Sequence, residues 1–319
     1  MKVAVVGGGK GQSALLRGLK HIESIELSAI VTVADDGGST GRLREDFNVP
    51  AMGDIRNVML ALPESENLLS QIMNYRFSKD SRSTLAGHNL GNLILTALTD
   101  TTGDFMDAVA SVSKVLNVMG DIIPSSEETI TLCARMEDGT IVRGESNIPK
   151  YANSIDCVYY DEPVHATDKA IKAILEADVI LLGVGSLYTS ILPNIIIPEI
   201  KEALQKSTGK IIYYCNAMSQ PGETDGYSGE DHVNAIVKHI EKPIDLVVRS
   251  VDEIPADVIQ NYENEDSHPI YFRSMVHTYA VVDQNLLSFE NGKIRHDHDR
   301  VREGFYEILE VIGCPLAVK

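Results

Sequence analysis

Tryptophan is absent from this sequence and basic residues are scarce, and these two shortages exclude several functions. Of its 319 residues, 28 are lysine or arginine and 46 are aspartate or glutamate, so the formal net charge is −18. A nucleic-acid-binding surface needs a basic patch, and surfaces that stack bases need aromatic side chains. Aromatic residues make up only 6% of the chain. We therefore expect no nucleic-acid partner.

Cysteines and long apolar runs are also few. Cys133, Cys157, Cys215 and Cys314 form no CxxC pair, and we expect buried free thiols in a reducing compartment. No apolar run approaches the roughly 18 residues of a membrane span. The first residues, MKVAVVGGGKG, lack the length and the cleavage site of a signal peptide. The sequence predicts a cytoplasmic protein with no membrane partner.

What the sequence does contain is a strand, a glycine-rich turn and an amphipathic helix, in that order and twice. The first copy runs Val3–Val6, Gly7–Ser13 and Ala14–Lys20, and the second runs Val179–Leu182, Gly183–Ser190 and Ile191–Gln205. Further strands are expected at Leu27–Val33, Lys210–Cys215 and Ile244–Arg249. Continuous branched runs are typical of parallel strands covered by helices on both faces. The alternation predicts an α/β, Rossmann-like, doubly wound and mostly parallel sheet.

A helical layer is expected to interrupt this alternation at about residues 54–119. Helical periodicity is found at Asp54–Leu62, Asn67–Phe77, Asn89–Thr99 and Phe105–Met119. Residues 128–145 are typical of a hairpin that turns at Asp138-Gly139. A closing helix is predicted near Val301–Val311. Because no linker is evident, residues 1–319 are expected to form a single elaborated α/β domain.

The first glycine turn is a candidate phosphate site. Gly9, Lys10, Gly11 and Ser13 lie between a strand and a helix, where backbone N–H groups and the helix dipole attract anions. Gly9-x-Gly11-x-x-Ala14 also fits the looser dinucleotide fingerprint, so NAD(P) is compatible with it. The alternative is a purely structural turn.

A second candidate follows the next predicted strand, at the sheet edge where ligands of such folds bind. Asp35 and Asp36 are suited to accept from ribose hydroxyls or to hold Mg²⁺, and Ser39 follows them. The two aspartates are also the candidate catalytic residues. A solvated acidic turn is the alternative.

Three further segments carry polar groups at expected helix starts or strand ends. Asp54 is predicted to cap a helix. The segment from Gly87 to Asn92 contains His88, Asn89 and Asn92, more polar groups than one cap requires, which favours a role for Asn89 and Asn92 in ligand binding. Gly185 and Ser186 belong to the second glycine turn. The run His296-Asp297-His298-Asp299 fits the start of a helix better than a metal site.

Taken together, these motifs resemble one family. VVGGGKGQS, VTVADDGGSTGRLR, GDIRN, GHNLGN, GVGSLYTSILPN, CNAMSQPGET, GYSGEDHV and IRHD follow one another as in the bacterial gluconeogenesis-factor (YvcK-like) proteins. These share a superfamily with 2-phospho-L-lactate transferase (CofD). One departure is visible, because the family's first turn usually carries threonine and leucine where Lys10 and Gln12 stand.

The resemblance implies a ligand of the UDP-sugar type, UDP-N-acetylglucosamine in particular, and a role in cell-wall synthesis, cell shape and growth on gluconeogenic carbon sources. It adds Asn216, Tyr262 and Arg295 to the expected ligand-binding residues. A cell-wall or morphogenesis protein is an expected partner, and an oligomer is compatible with the sequence.

Two functions from different classes remain open at this point. The first is a regulatory protein that binds a nucleotide-sugar, favoured because no nucleophile or acid–base pair stands out. The second is a CofD-like, Mg²⁺-dependent transferase of phospho groups that uses a nucleotide-diphosphate-linked donor, since such chemistry needs mainly positioning and charge neutralisation. An NAD-dependent oxidoreductase ranks last.

Overall fold

The computed structural model describes residues 1–64, 68–80 and 82–316. Its strands in chain order are β1 (Lys2–Gly7), β2 (Glu26–Val31), β3 (Asp121–Pro124), β4 (Leu132–Met136), β5 (Ile141–Arg143), β6 (Ile155–Tyr160), β7 (Val179–Leu182), β8 (Lys210–Tyr214), β9 (Leu246–Ser250), β10 (Ala280–Gln284), β11 (Leu287–Glu290) and β12 (Lys293–His296). Its α-helices are α1 (Gly9–Leu19), α2 (Gly38–Phe47), α3 (Gly53–Met59), α4 (Leu68–Asn74), α5 (Leu90–Thr102), α6 (Phe105–Val115), α7 (Asp168–Glu176), α8 (Leu192–Ile195), α9 (Pro198–Lys206), α10 (Gly229–Ile240), α11 (Ala256–Glu263) and α12 (His298–Val311).

The central sheet is parallel and reverses its winding between two neighbouring strands. Within the described ranges it has seven strands in the order β10-β9-β8-β7-β1-β2-β3, and all its pairs are parallel. From β1 the chain winds outward through β2 and β3, and from β7 it winds the other way through β8 to β10. The carboxyl ends of β1 and β7 therefore flank the point where a doubly wound sheet opens a crevice for ligands. This confirms the predicted fold class.

The strands at this point form because branched apolar residues are covered on both faces. In β7 all four residues, Val179–Leu182, are buried, and they pair with Val3–Val6 of β1. Burying both faces removes the polar–apolar alternation of a half-exposed strand. Burial on both faces therefore holds β1 and β7 in place, and this fixes the positions at which the turns after them begin.

The predicted helical insertion is present between β2 and β3 as α3 to α6. Its boundaries differ from the prediction: α6 ends at Val115, and the next residues turn toward β3. The predicted start of the second helix at Asn67 lies outside the described residues, as do residues 317–319 of the predicted domain. The helix expected at Ile191–Gln205, with a start made irregular by Pro193 and Pro198, is divided at these prolines, because proline cannot donate to a preceding turn. A π-helical turn at Leu187–Ile191 is followed by α8 and, from Pro198, by α9.

Some elements were not predicted. The segment after Asp36, interpreted as a turn, becomes α2 from Gly38, and α7, α10 and α11 were missed. The hairpin of residues 128–145 is confirmed, but β4 also pairs with β6 to give a separate antiparallel sheet. The closing helix is confirmed as α12. The cysteines are free, with Cys133 and Cys215 buried and Cys157 and Cys314 partly exposed.

Among the residues that the structure describes, no helix is long and apolar enough to cross a membrane.

Candidate functional site

Helix α1 begins directly after β1, and its own N-cap residue gives no side-chain cap, although the Asp54 carboxylate accepts from the Gly9 N–H. Its N-cap is Gly8, which supplies no side-chain hydrogen bond, and its first turn contains no acidic residue. By contrast, α5, α10 and α12 are capped by the side chains of Asn89, Ser228 and Asp297. The first N–H groups of a helix need a partner, and the helix dipole makes an anion a favourable one. The first turn of α1 is therefore suited to an anionic ligand.

The turn stays open to a ligand because it is built from glycine. A side chain at Gly11 would place its Cβ 2.3 Å from the Val184 carbonyl oxygen, in the turn that follows β7. One at Gly8 would lie 2.5 Å from a carboxylate oxygen of Asp54. The turns after β1 and β7 thus touch at the switch point, which agrees with the two glycine-rich motifs of the sequence.

A cavity of about 670 Å³ opens beside this turn. Seven of the predicted ligand-binding residues line it together: Lys10, Gly11, Ser13, Gly185, Asn216, Tyr262 and Arg295. They come from α1, from the ends of β7 and β8, from α11 and from β12. Residues far apart in the chain are therefore assembled around one space.

Several of these polar groups already have protein partners. The Ser13 hydroxyl donates to the Gly9 carbonyl at 2.7 Å. The Asn216 amide donates to the Gly185 carbonyl at 2.9 Å and ties the ends of β8 and β7 together. Ser186 does not line the cavity, since its hydroxyl accepts from the Gln220 side chain. These contacts fix the shape of the wall.

The far wall of the cavity carries an aromatic ring and a cation. Tyr262 on α11 accepts a hydrogen bond from the Ile294 backbone N–H at 3.1 Å, which joins α11 to β12. Arg295, the next residue of β12, is exposed, and Nη1 donates to the Ile294 carbonyl at 2.9 Å. Lys10 is exposed on the α1 side. Lys10 of α1 and Arg295 of β12 therefore both line the cavity, as does Arg17 of α1.

Asp35 and Asp36 lie outside this cavity, on the other side of the glycine turn. Asp35 accepts from the Gly37 N–H and Asp36 from the Ser146 N–H, both at 2.9 Å. Ser146 follows Gly144, whose φ of +92° and close approach to Asp36 both favour glycine. The 3-10 turn Glu145–Lys150 is held against the two aspartates in this way.

Asp35 and Asp36 belong to a group of five carboxyls, called here the acidic cluster: Asp35, Asp36, Asp54, Glu145 and Glu223. Burial, then Asp35 and Asp36, raises the pKa of Glu145 to about 8. Burial, then Asp35, raises the pKa of Asp54 to about 7, and burial raises that of Glu223 to about 7. Protons, cations or hydroxyl donors are therefore favoured in this region.

The predicted capping role of Asp54 is wrong. The N-cap of α3 is Met52, and it makes no side-chain cap. The Asp54 carboxylate instead faces Gly8 and Gly9, where the Gly9 N–H and the Asn57 side chain partly offset the rise in its pKa. The Asp54 carboxylate therefore accepts from the glycine turn and does not cap its own helix.

Asn89, Asn92 and Ser39 lie in a buried polar network behind the site. Asn89 caps α5 by accepting from the Asn92 N–H at 3.1 Å. The Asn92 side chain accepts from Arg56 at 3.0 Å, and the Ser39 hydroxyl lies 3.1 Å from His88 Nδ1. The surplus of polar groups in GHNLGN is therefore used to join α5 to α2 and α3. The network does not line the 670 Å³ cavity.

Asp35 and Asp36, the residues suited to Mg²⁺, would hold the ion only together with oxygen atoms from a bound ligand. Asp35 and Asp36 each keep one carboxylate oxygen beyond the hydrogen bonds given above. In the described part of the chain no three metal-ligating side chains are arranged to hold an ion. Mg²⁺ commonly binds through one or two carboxylates together with phosphates and water. The run from His296 to Asp299 starts α12, with Asp297 as its cap, as expected.

Sequence reasoning missed three residues of this region. Glu145 begins the 3-10 turn far from the glycine turns in sequence and belonged to no motif, and Glu223 lay in the quoted motif CNAMSQPGET but was not proposed as a site residue. Asn57 lines the cavity but was noted only as a first-turn residue. The signal for Glu145 was the glycine before it, which allows the close approach to Asp36.

Comparison with known proteins gives consistent results. The sequence model of the family described as 2-phospho-L-lactate transferase CofD matches residues 3–287. The gluconeogenesis factor of Bacillus subtilis is 44% identical over 314 residues, covering 97% of this chain and 98% of the relative. A putative gluconeogenesis factor of Thermotoga maritima is 45% identical over 267 residues, covering 84% of each.

A solved structure is similar over almost the whole fold. The crystal structure of protein BH3568 from Bacillus halodurans superposes with a TM-score of 0.90 at 42% sequence identity. The match covers 95% of this chain and 98% of that chain.

Proposed function

Because the chain belongs to the CofD family and, within it, to the gluconeogenesis factors, we propose that it is a regulatory protein that binds a nucleotide-sugar of the UDP-N-acetylglucosamine type. Through this ligand it supports cell-wall synthesis, cell shape and growth on gluconeogenic carbon sources. A cell-wall or morphogenesis protein reads its ligand-bound state in the cytoplasm.

The observation that carries the proposal is the cavity at the switch point. The first turn of α1 and the cations Lys10 and Arg295 suit a diphosphate, and the Tyr262 ring suits a base or a sugar face. The volume of about 670 Å³ lies within the range of small-molecule sites. A nucleotide-sugar needs both an anion site and an apolar platform, and this cavity offers both.

Binding is favoured over catalysis by the state of the nucleophilic groups near the cavity. Burial raises the pKa of Cys215 to about 12, so its thiol stays protonated at neutral pH, whereas a nucleophilic cysteine needs a lowered pKa. The Ser13 hydroxyl is engaged with the Gly9 carbonyl. Burial lowers the pKa of His296 to about 4, below the range of a general base for neutral pH.

Calorimetric titration with UDP-N-acetylglucosamine, with and without Mg²⁺, tests the proposal, with NAD⁺ as the comparison ligand. We expect micromolar binding, weakened about tenfold or more by Arg295→Ala through loss of a charge-assisted contact. Lys293→Ala is the matched control, because Lys293 is an exposed cation of the same strand that does not line the cavity. Preference for NAD⁺, or product formation at an enzyme-like rate, contradicts the proposal.

The acidic cluster favours a second candidate, a CofD-like transferase. In this reading the glycine turn holds a nucleotide-diphosphate-linked donor, and an acceptor hydroxyl attacks the donor phosphorus while the nucleoside monophosphate leaves. The free oxygens of Asp35 and Asp36 would hold Mg²⁺, which neutralises charge on the transferred group. A carboxyl with a pKa close to neutral, such as Asp54, is suited to take up the hydroxyl proton.

The transferase candidate requires both Asp35 and Asp36. Asp35→Asn and Asp36→Asn should each abolish the Mg²⁺-dependent consumption of UDP-N-acetylglucosamine or of GDP- and GTP-linked donors. Chromatography of the nucleotides measures this consumption. Turnover that persists in both variants, or is absent from the wild type, rejects the transferase. Absence of turnover from the wild type leaves the binding proposal standing, whereas turnover at an enzyme-like rate that persists in both variants contradicts that proposal as well.

A further inference from the structure

Asn57, the last residue of the GDIRN motif, lines the cavity and lies three residues after Asp54 of the acidic cluster. It lies on α3, which packs along α1, and it lines the same cavity as Lys10 and Gly11. Its side chain is only partly buried, so a ligand can reach it. The orientation of its amide decides whether it donates to a ligand or accepts from one.

Arg56 fixes the orientation of that amide. The Arg56 guanidinium donates from Nη2 to the Asn57 side-chain oxygen at 2.7 Å, and from Nη1 to the Asn92 oxygen at 3.0 Å. Arginine has donors only, so the Asn57 oxygen must face Arg56 and the amide nitrogen must face away from it. Arg56 itself is buried and cannot turn to another partner.

The amide nitrogen of Asn57 is directed toward negative charge. The Asn57 side chain is a hydrogen-bond partner that lowers the pKa of the Asp54 carboxyl, and the same residue lines the cavity. An amide nitrogen can serve two acceptors at once. With Asp54 as one partner, the amide retains the capacity to donate to a second acceptor from its place in the cavity wall.

We propose that Asn57 is a further ligand-binding residue, held by Arg56 so that its amide donates to the anionic part of the ligand at the first turn of α1. The inference rests on the proposed use of this cavity by a phosphate-bearing ligand. It adds a neutral donor from α3 to the cations of α1 and β12, and it favours an acceptor such as a phosphate oxygen over a group that can only donate, such as an ammonium. The buried network of Arg56 and Asn92 thereby acquires a role in positioning this donor.

Two substitutions test the proposal with two probes, UDP-N-acetylglucosamine and inorganic pyrophosphate. Asn57→Ala removes the donor, and we expect about tenfold weaker binding of both probes. Asn57→Asp keeps the size of the side chain and the contact with Arg56 but places negative charge where the donor was. For this variant we expect a loss of about a hundredfold or more.

Asn234→Asp is the matched control, since Asn234 is exposed on α10 and the change adds the same charge away from the cavity. Its affinities should stay within about twofold of the wild type, as expected for a distant surface charge screened by salt. Circular dichroism melting checks that each variant is folded. If Asn57→Asp fails to fold, Asn57→Ala decides alone.

The outcomes separate this inference from the proposed function. If the wild type binds the UDP-sugar and both Asn57 variants bind it equally well, the inference is overturned and the proposed function stands. If the wild type binds pyrophosphate but not the UDP-sugar, and Asn57→Asp abolishes binding, the inference stands and the proposed function falls. A wild type that binds neither probe overturns both.

Discussion

The two sides of the first glycine turn are chemical opposites. On one side, the cavity presents backbone N–H groups, amides and the cations Lys10 and Arg295. On the other side, a few ångströms across Gly8, five carboxyls form the acidic cluster, and burial raises the pKa of Glu145 to about 8. A phosphate is favoured on the first side, and protons, cations or hydroxyl donors are favoured on the second.

The backbone of the first glycine turn, called here the partition, separates these two environments. Gly8 and Gly11 have no side chains, so the Asp54 carboxylate and the Val184 carbonyl approach from either side. Asp54 contacts the partition from α3, and Asn57 reaches the cavity from the same helix. A ligand whose phosphates lie on α1 is therefore placed next to groups that bind hydroxyls or cations.

Gly11→Ala should have the largest effect, because it attacks the partition itself. The new Cβ would lie 2.3 Å from the Val184 carbonyl oxygen, and neither backbone segment can rotate away. We expect a loss of about 3 kcal/mol or more in the free energy of unfolding, measured by urea denaturation. Gly37→Ala is the control, since its Cβ would meet nothing closer than 3.3 Å. Equal stability of the two variants would contradict the close packing of the turns after β1 and β7.

The acidic cluster should make stability depend on pH. Glu145, Asp54 and Glu223 have folded-state pKa values raised to between about 7 and 8. Between about pH 4.5 and 8 the unfolded chain has released these protons while the folded chain retains them, so stability falls as the pH rises. We expect the free energy of unfolding to fall by on the order of 2 kcal/mol between pH 5 and 8. Urea denaturation at a series of pH values measures it.

Glu145→Gln combined with Glu223→Gln should flatten this dependence, since both side chains then stay neutral at every pH in the range. The matched control is Glu23→Gln with Glu241→Gln, two exposed carboxyls elsewhere. A pH slope that survives in the cluster variant and disappears in the control would contradict the assignment of the slope to the cluster.

Mg²⁺ should stabilise the acidic side at high pH and leave the cavity side unaffected. At pH 8 we expect a rise of a few degrees in the melting temperature of the wild type, because the ion binds the folded state only. Asp35→Asn with Asp36→Asn should abolish the rise, and Lys10→Ala should not. Stabilisation that persists without both aspartates places the ion elsewhere.

Lys10→Thr should have the smallest effect, since Lys10 is exposed and its charge is screened by salt. We expect about a threefold loss of UDP-N-acetylglucosamine affinity at low salt, fading as ionic strength rises. Titrations at two salt concentrations measure it. Affinity that is equal in both proteins at low salt would remove Lys10 from the anion site.

The sequence was sufficient to predict the fold class and part of the site, for different physical reasons. Continuous apolar strands such as Val179–Leu182 and glycine turns are local signals, and they predicted the doubly wound, mostly parallel sheet, whereas the strand order and its switch point came from the structure. The start of α2 at Gly38 was hidden, because glycine and serine at a helix start are equally common in turns. Motif resemblance, not local pattern, drew Tyr262 and Arg295 into the expected site.

The remaining features depend on contacts that are distant in sequence. Glu145 meets Asp36 only because β4 and β5 return the chain to the switch point, and burial then sets its pKa. Asn89 and Asn92 carried a pattern that fits a ligand as well as a structural network. Only the position of Arg56 shows that Asn92 is used within the fold. The ligand-binding role of the predicted site residues stays a prediction.

A crystal structure of the protein with UDP-N-acetylglucosamine tests the central claim most directly. The account predicts the diphosphate within hydrogen-bonding distance of the backbone N–H groups of Lys10 and Gly11, with Arg295 and the Asn57 amide in contact with the ligand. Diphosphate held instead by a metal on Asp35 and Asp36, with the cavity beside α1 empty, would contradict the account.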